Sequence, residues 1–315
     1  MKFVSHVLLA LMLPCLIFPL AARAADYPDG PVTFIVPWPE GDLEDHLTKL
    51  IAKELTAETG VATDVKFIPG DAGATGAAVV AEAPADGQMI GSLVNHLLTT
   101  KVMGGEVSWN FKTFSPIGIF LDYPFVIAAR ADAPYNNLNE LAEYSHSHNL
   151  SLGHFGNGIT PTALTFKMAD DFQIKISSDK AYDALECPLL LNGSVDIMNT
   201  TTQQIFPCLE SGEAKLLVAF TSRRVSIAPD VPTLSELTGI NLTIWNGLFV
   251  PRATSAMTKV KIARIAKKAM ESEEAKQLAR DTGALIYWDD AMRSKIRIAD
   301  EIEASRNLLK YLQRQ

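Results

Sequence analysis

Short apolar segments alternate with amphipathic helices along most of this chain, and that alternation is the strongest constraint on its fold. Val32–Val36 is a run rich in β-formers, and Leu43–Glu58 repeats apolar residues at helical spacing. The same order returns around the strands predicted at Met89–Leu93 and Phe125–Ala129. Such alternation is typical of α/β folds. With 315 residues, 48% of them hydrophobic, the chain can build two lobes with a core each.

The charge balance excludes one large class of partners. The chain has 28 Lys and Arg against 36 Asp and Glu, which gives a formal net charge of −8. Proteins that bind nucleic acids need a basic surface to neutralise phosphates. We therefore expect no nucleic-acid partner.

The first residues have the features of a cleaved secretory signal. Val7–Leu20 is apolar, and Ala22-Arg23-Ala24 supplies the small residues that a signal peptidase needs. Pro14 and Pro19 interrupt the helix that an uncleaved membrane anchor would require. We predict a signal peptide over residues 1–24, cleaved after Ala24, and an exported product that is not anchored in the membrane.

Two cysteines remain after that cleavage, Cys187 and Cys208. An even number in an oxidising compartment is compatible with a disulfide. The alternative is two separate apolar side chains, because the sequence does not show whether their Cα atoms lie within bridging range.

Catalytic and metal-binding patterns have no positive support. The chain has no Gly-x-Ser-x-Gly segment, no phosphate-binding loop and no zinc-ligand spacing. We therefore predict no enzyme activity, no cofactor and no metal.

Two loops that each lead from a strand into a helix remain as the candidate binding site. They are Val36–His46 and Gly153–Thr162. A helix that begins after such a loop presents unpaired backbone N–H groups and the positive end of its dipole. Thr160 is a plausible cap of the second helix, and Pro161 suits its first turn. Facing each other across a cleft, the two loops would form a clamp for a carboxylate.

Several motifs, in order along the chain, resemble one family. They are Tyr27-Pro28-Asp29-Gly30-Pro31 before the first strand, Asp45 in the first loop, Pro69-Gly70-x-x-Gly73-x-x-Gly76, Pro84-Ala85-Asp86-Gly87, the loop Gly153–Thr162, Gly193-Ser194-Val195-Asp196, Pro229-Asp230-Val231-Pro232-Thr233 and Trp245-Asn246-Gly247. This pattern is similar to that of the solute receptors of tripartite tricarboxylate transporters, the TctC or Bug family. The resemblance runs from about Tyr27 to Asp281.

The resemblance implies an α/β periplasmic binding protein of type II, shaped like a Venus flytrap with a ligand cleft between two lobes. It predicts lobe 1 over residues 25–122 and 243–315 and lobe 2 over residues 123–242. The implied function is capture of a small carboxylate or amino-acid-like ligand and its delivery to membrane permease subunits, by a protein that we expect to be a monomer. Two alternatives are a ligand-sensing module for a membrane sensor and an exported enzyme on the same fold.

The candidate ligand-binding residues lie in the two loops and at the ends of apolar strands. They are Trp38, Glu40, Gly41, Asp42, Asp45, Asn95, His154, Phe155, Gly156, Asn157, Gly158, Thr160, Thr162 and Thr200, while His96 and Asn199 also follow strands. His154 either donates to a carboxylate or is a rim residue bonded to the backbone. Trp38 and Phe155 either stack on a planar ligand or only wall the cleft.

The first loop departs from the family in its acidic residues. Where the family has Gly-Gly-x-x-Asp, this chain has Glu40-Gly41-Asp42-Leu43-Glu44-Asp45. Asp42 suits a helix cap, and Asp45 suits the third helical position of a capping box. Because four acids repel a second anion, we predict that this loop contacts a neutral, hydroxylated or amine-bearing part of the ligand, while the carboxylate goes to Gly156–Thr160.

Overall fold

The computed structural model describes residues 27–156 and 159–312, and within them the strands form two sheets. The first sheet has the strand order β11-β4-β10-β3-β1-β2, and the second has the order β7-β6-β8-β5-β9. The predicted signal peptide and its cleavage point lie outside the described residues. In the described part of the chain, no helix has the length and hydropathy to cross a membrane.

The first sheet is built from two separate stretches of the chain. Its strands are β1 (Val32–Val36), β2 (Thr63–Phe67), β3 (Met89–Val94), β4 (Phe114–Asp122), β10 (Trp245–Pro251) and β11 (Leu285–Asp290). β1 pairs in parallel with β2 and β3, whereas β10 is antiparallel to both β3 and β4.

The second sheet comes from the intervening stretch. Its strands are β5 (Phe125–Arg130), β6 (Ser151–His154), β7 (Ser178–Ala181), β8 (Ile197–Thr201) and β9 (Ala214–Ala219). β6 is parallel to β7 and β8, and β5 is antiparallel to β8 and β9. The lobe boundaries given above stay a prediction.

Helices cover both sheets. They are α1 (Leu43–Thr59), α2 (Ala74–Ala81), α3 (Thr100–Met103), α4 (Leu138–Ser145), α5 (Thr160–Asp171), α6 (Cys187–Leu191), α7 (Thr202–Glu210), α8 (Leu234–Thr238), α9 (Ala256–Met270), α10 (Glu273–Thr282) and α11 (Ala291–Leu312). The α/β prediction is therefore confirmed.

One apolar cluster joins the two sheets, and we call it the shared cluster. Most of its buried members belong to the second sheet and its helices, such as Ile127 on β5 and Ala163 on α5. Val94 at the end of β3 and Leu308 on α11 belong to the same cluster. The sheets thus pack against each other where β3 ends.

Two predicted helix caps are wrong in detail. Asp42 is the N-cap of α1, but its side chain makes no capping bond, and the Asp45 carboxylate accepts from Gly41 N at 2.9 Å, one residue before the capping-box position. At α5 the N-cap is Ile159, and Thr160 is already the first helical residue. Pro161 lies in the first turn as predicted, where its fixed φ is compatible with the helix.

Cys187 and Cys208 form a disulfide between α6 and α7, with their Cα atoms 5.9 Å apart. The bond closes a segment with a sequence separation of 21.

Candidate functional site

The carboxyl ends of parallel strands from the two sheets face each other. β1 and β3 are parallel neighbours, and the chain continues from them into Trp38 and Asn95. β6 and β8 are parallel neighbours in the second sheet, and α5 begins after β6. Val94 and Trp38 pack with the shared cluster, to which the second-sheet residues also belong. Ligands of open α/β sheets bind at such edges.

Several buried polar atoms at these edges have no hydrogen-bond partner among the described residues. On the first-sheet side they are Trp38 Nε1 and Asn95 Oδ1. On the second-sheet side they are Thr162 Oγ1 and both Nδ2 and Oδ1 of Asn199. An unpaired buried polar atom costs about 1–3 kcal/mol. Buried polar groups that have no partner in the protein are suited to form hydrogen bonds with a polar ligand.

Asn199 differs from the other residues of this group because two of its side-chain atoms, not one, are unpaired. It is 0% exposed, and it lies on the β8 strand with both polar atoms of its amide unpaired. Its partner in the β5–β8 register is Ile127, so both side chains lie on the same face of the sheet. That face carries α5, because Ile127 and Ala163 share one cluster. Asn199 and Thr162 therefore lie on the same side of the second sheet.

The acids of the first loop separate into two pairs. Glu40 and Asp45 share one cation, because Lys49 Nζ lies 2.6 Å from Glu40 Oε1 and 3.0 Å from Asp45 Oδ1. Asp42 and Glu44 form no ion pair with Lys or Arg in the described part of the chain. Lys49 thus offsets one of the loop's negative charges, which weakens the predicted repulsion of an anion without removing it.

Glu44 is the acid that the sequence reasoning missed as a site residue. Its side chain is 2% exposed, and its Oε2 atom has no hydrogen-bond partner. Burial and, to a smaller extent, the charge of Asp42 raise the pKa of Glu44, while a hydrogen bond to Tyr123 lowers it, and the net pKa is about 7. In the sequence, an acid in a first helical turn is explained by the helix dipole alone. The burial of the Glu44 side chain against Tyr123 is visible only in the structure.

An open cavity of about 630 Å³ lies beside these acids, between α1 and the second sheet's helices. Asp42 and Leu43 line one side of it. Tyr123, Phe155 and Glu186 are among the residues on the other sides. Among the described residues, its lining contains carboxylates and no Lys or Arg. This cavity is therefore suited to a neutral or cationic group.

His154 does not lie on the rim of the cleft, and both of its ring nitrogens have protein partners. Its side chain is 1% exposed, Nδ1 accepts from Gly156 N at 2.9 Å, and Nε2 lies 2.9 Å from Asp179 Oδ2. Because Nδ1 accepts, the ring proton is on Nε2 and points to Asp179. His154 thus orients the loop.

The Gly156 N–H is donated to His154 Nδ1 in this structure, and its use in an anion clamp stays a prediction. Gly156 has a φ of 113°, which favours glycine at this bend. Asn157 and Gly158 lie outside the described residues.

Other candidates are engaged within the protein. Thr200 Oγ1 donates to Leu185 O at 2.7 Å, so its hydroxyl proton is not available to a ligand. Asn95 Nδ2 donates to Thr243 O at 2.7 Å and lies 3.2 Å from Glu301 Oε2. Only the Asn95 carbonyl oxygen is left unpaired.

The two aromatic candidates contact protein groups at the cleft. Phe155 packs edge to face on Phe125, with ring centroids 5.9 Å apart. Trp38 lies 5.7 Å from the His96 ring. Phe155 lines the cavity beside Asp42, and the indole N–H of Trp38 is unpaired. Thr160 is partly buried at the start of α5.

Within residues 27–156 and 159–312, no group of three or more His, Cys, Asp or Glu is placed to hold a metal ion.

Comparisons with known proteins agree with this architecture. The model of the tripartite tricarboxylate transporter family receptor, TctC, matches residues 48–313. A UPF0065 protein of Agrobacterium vitis is 27% identical over 278 residues, which covers 84% of this chain and 78% of the relative. Among solved structures, a TctC solute-binding protein from Polaromonas without ligand has a TM-score of 0.78 and 23% identity, covering 90% of this chain and 99% of that one.

Two further structures of this fold contain a ligand. MatC from Rhodopseudomonas palustris, with bound malate, has a TM-score of 0.71 and 24% identity, covering 90% of this chain and 99% of that one. A second R. palustris protein, with adipate, has a TM-score of 0.72 and 22% identity, covering 90% and 98%. With the family model matching most of its length, this chain belongs to the TctC family of periplasmic solute-binding receptors.

Proposed function

We propose that this protein captures a small carboxylate between its two lobes and delivers it to a membrane transporter of the tripartite tricarboxylate type. The observation that carries the proposal is the set of unpaired buried polar atoms at the facing sheet edges, above all the amide of Asn199. The malate and adipate found in proteins of the same fold support a carboxylate as the ligand class.

The carboxylate is bound by neutral donors. Asn199 Nδ2, Thr162 Oγ1 and Trp38 Nε1 are unpaired donors at the cleft. Hydrogen bonds from such groups to a charged oxygen are stronger than those between neutral groups. Each bond also relieves the cost of a buried donor without a partner. Binding free energy therefore comes from groups that the unliganded protein leaves unsatisfied.

The other end of the ligand is a hydroxyl-bearing or amine-bearing group. Asp42 and Glu186 line the cavity next to Tyr123, and in the part of the chain that the structure describes no Lys or Arg lines it. A second carboxylate there would meet two like charges, whereas an ammonium or a hydroxyl would find acceptors. This orientation places the ligand's carboxylate towards Asn199 and its polar end towards Asp42.

Capture proceeds by closure of the lobes around the ligand, with no bond made or broken. The ligand binds both edges at once only when they approach each other, so the affinity depends on the fraction of protein in the closed form. The mature protein acts as an exported monomer, cut after Ala24, that presents this closed form to the permease subunits.

A thermal-shift titration with malate, adipate, aspartate and citrate tests the binding site. A ligand that binds the folded state raises the melting temperature by mass action. We expect Asn199→Leu to abolish the shift while the unliganded variant melts no lower than the wild type, because the change removes two unpaired buried atoms. Asn139→Leu, at an exposed position on α4, is the matched control and retains the shift. A full shift in Asn199→Leu would contradict the site.

A comparison of ligands tests the acidic end. We expect aspartate or malate to bind more tightly than citrate, and Asp42→Asn to bring citrate closer to them. Tight citrate binding that Asp42→Asn leaves unchanged would contradict this orientation. Delivery is tested separately by co-purification of the ligand-loaded protein with the permease subunits, compared with the ligand-free protein.

A further inference from the structure

A second cavity, on the flank of the first sheet, combines an apolar floor with a ring of cations. Its volume is about 400 Å³, which lies in the range of small-molecule sites. Phe114, Phe249 and Ile298 form part of its floor, and the two phenylalanine rings meet edge to face at 6.5 Å between centroids. Phe111 lines the cavity and is 48% exposed. The cavity therefore offers apolar contact to a ligand from several sides.

The charges around this cavity are all positive. Arg252, Lys259 and Lys295 line it, and no Asp or Glu of the described residues does. None of the three forms an ion pair with a described carboxylate, whereas Lys268 on the same helix as Lys259 pairs with Glu54 at 2.6 Å. Lys259 Nζ donates to Ser115 Oγ at 3.3 Å, which holds its ammonium beside the cavity. Like charges that converge on a concave surface attract an anion.

This cavity is separate from the cleft between the lobes. Its lining shares no residue with the cavity beside Asp42. Arg252 follows the end of β10, where Pro251 pairs with Phe114 at the start of β4. The other end of that pairing, Trp245 with Asp122, lies about 20 Å away along β10. The described residues that line the cavity beside Asp42 include no Lys or Arg, so the two cavities differ in charge.

We propose that this flank cavity binds a small amphiphilic anion, a molecule with an apolar body and a single anionic head group. The body packs on Phe249 and Ile298, and the head lies among the three cations. The cation ring rules out an ammonium ligand, and the apolar floor favours an alkyl or aryl body over a purely polar acid.

Calorimetric titration of the mature protein with octanoate tests the proposal, with 1-octanol as the neutral probe of equal chain length. We expect octanoate to bind and octanol to bind at least tenfold more weakly, and octanoate binding to weaken as salt is raised. R252Q/K259Q is expected to weaken octanoate binding by about tenfold, the combined effect of two partly exposed ion pairs. The control R264Q/K268Q removes the same charge from the far part of α9 and is expected to leave the affinity unchanged.

A cleft variant separates this site from the carboxylate cleft. Asn199→Leu is expected to leave octanoate binding intact, even where it abolishes the thermal shift with malate or adipate. The proposal is overturned if octanol binds as tightly as octanoate, if R252Q/K259Q binds octanoate like the wild type, or if Asn199→Leu abolishes octanoate binding. Circular dichroism of each variant before titration establishes that it is folded.

Discussion

Arg297 on α11 forms a buried ion pair with Asp122 at the end of β4, with 2.8 Å between Arg297 Nη2 and Asp122 Oδ1. The same Nη2 atom donates to Thr243 Oγ1 at 2.5 Å. Asp122 is the last residue before the chain enters the second sheet, and Thr243 lies just before it re-enters the first. One guanidinium therefore holds both connections between the sheets.

Loss of Arg297 is expected to destabilise the protein strongly. Asp122 is fully buried, and Arg297→Met leaves its carboxylate without a cation, which costs about 3–5 kcal/mol. The free energy of unfolding from urea titration measures this cost. Arg293→Met on the same helix is the control, because Arg293 is 73% exposed and 3.8 Å from Asp289; its loss is expected to cost less than about 1 kcal/mol. Equal losses in the two variants would contradict the account.

Glu44 makes stability depend on pH. Its pKa is about 7 in the folded protein against an ordinary value of 4.5. The folded state thus holds this proton more tightly than the unfolded chain. The resulting stabilisation is complete below the lower value and is lost as the pH rises through about 7.

Glu44→Gln removes this dependence, because glutamine stays neutral. We expect wild type and variant to be equally stable near pH 4.5 and the variant to gain on the order of 2–3 kcal/mol by about pH 8. Glu40→Gln removes an exposed carboxylate from the same loop and serves as the control. Urea unfolding at several pH values measures the difference, and a gap that does not widen with pH would refute this role of Glu44.

We expect His154 to raise the affinity for the carboxylate, because it holds the loop at Gly156 in place. His154→Leu keeps an apolar side chain against Phe166, whose ring lies 6.0 Å from His154, but removes the acceptor for Gly156 N. The freed loop must then be ordered on binding, and we expect carboxylate affinity to fall about tenfold. Calorimetry measures the change, with His148→Leu at an exposed position as the control. An unchanged dissociation constant in His154→Leu would show that the loop does not need this bond.

The disulfide is expected to contribute to stability through the chain it closes. For a separation of 21 residues, the loss of Cys187–Cys208 costs about 3 kcal/mol in the entropy model. Thermal unfolding of C187S/C208S is compared with that of the wild type under oxidising and reducing conditions. We expect the difference in thermal stability to disappear when the wild type is reduced. If it persists, the lower stability of C187S/C208S comes from the packing of the serines and not from the missing disulfide.

The sequence predicted much of the fold because strands and helices alternate clearly. β1 has the predicted bounds, and α1 ends one residue beyond them. Three strands of the first sheet, Phe114–Asp122, Trp245–Pro251 and Leu285–Asp290, were not predicted. The first two are buried at every position, so they lack the apolar-polar alternation that marks a half-exposed strand.

The site was less accessible to sequence reasoning, because its properties come from distant contacts. Asn95 lies 3.2 Å from Glu301 across a sequence separation of 206. Asn199 was one of several polar residues after apolar strands, and only its lack of partners distinguishes it from Thr200. The end of α11 likewise reaches α5 from far along the chain, where Tyr311 donates to Phe166 O at 3.3 Å.

A crystal structure of the mature protein, grown with the carboxylate that gives the largest thermal shift, tests the central claim most directly. The account predicts a carboxylate oxygen within hydrogen-bond distance of Asn199 Nδ2 or Thr162 Oγ1, with the rest of the ligand directed towards Asp42. A ligand bound away from the facing sheet edges, with Asn199 still unpaired, would contradict it.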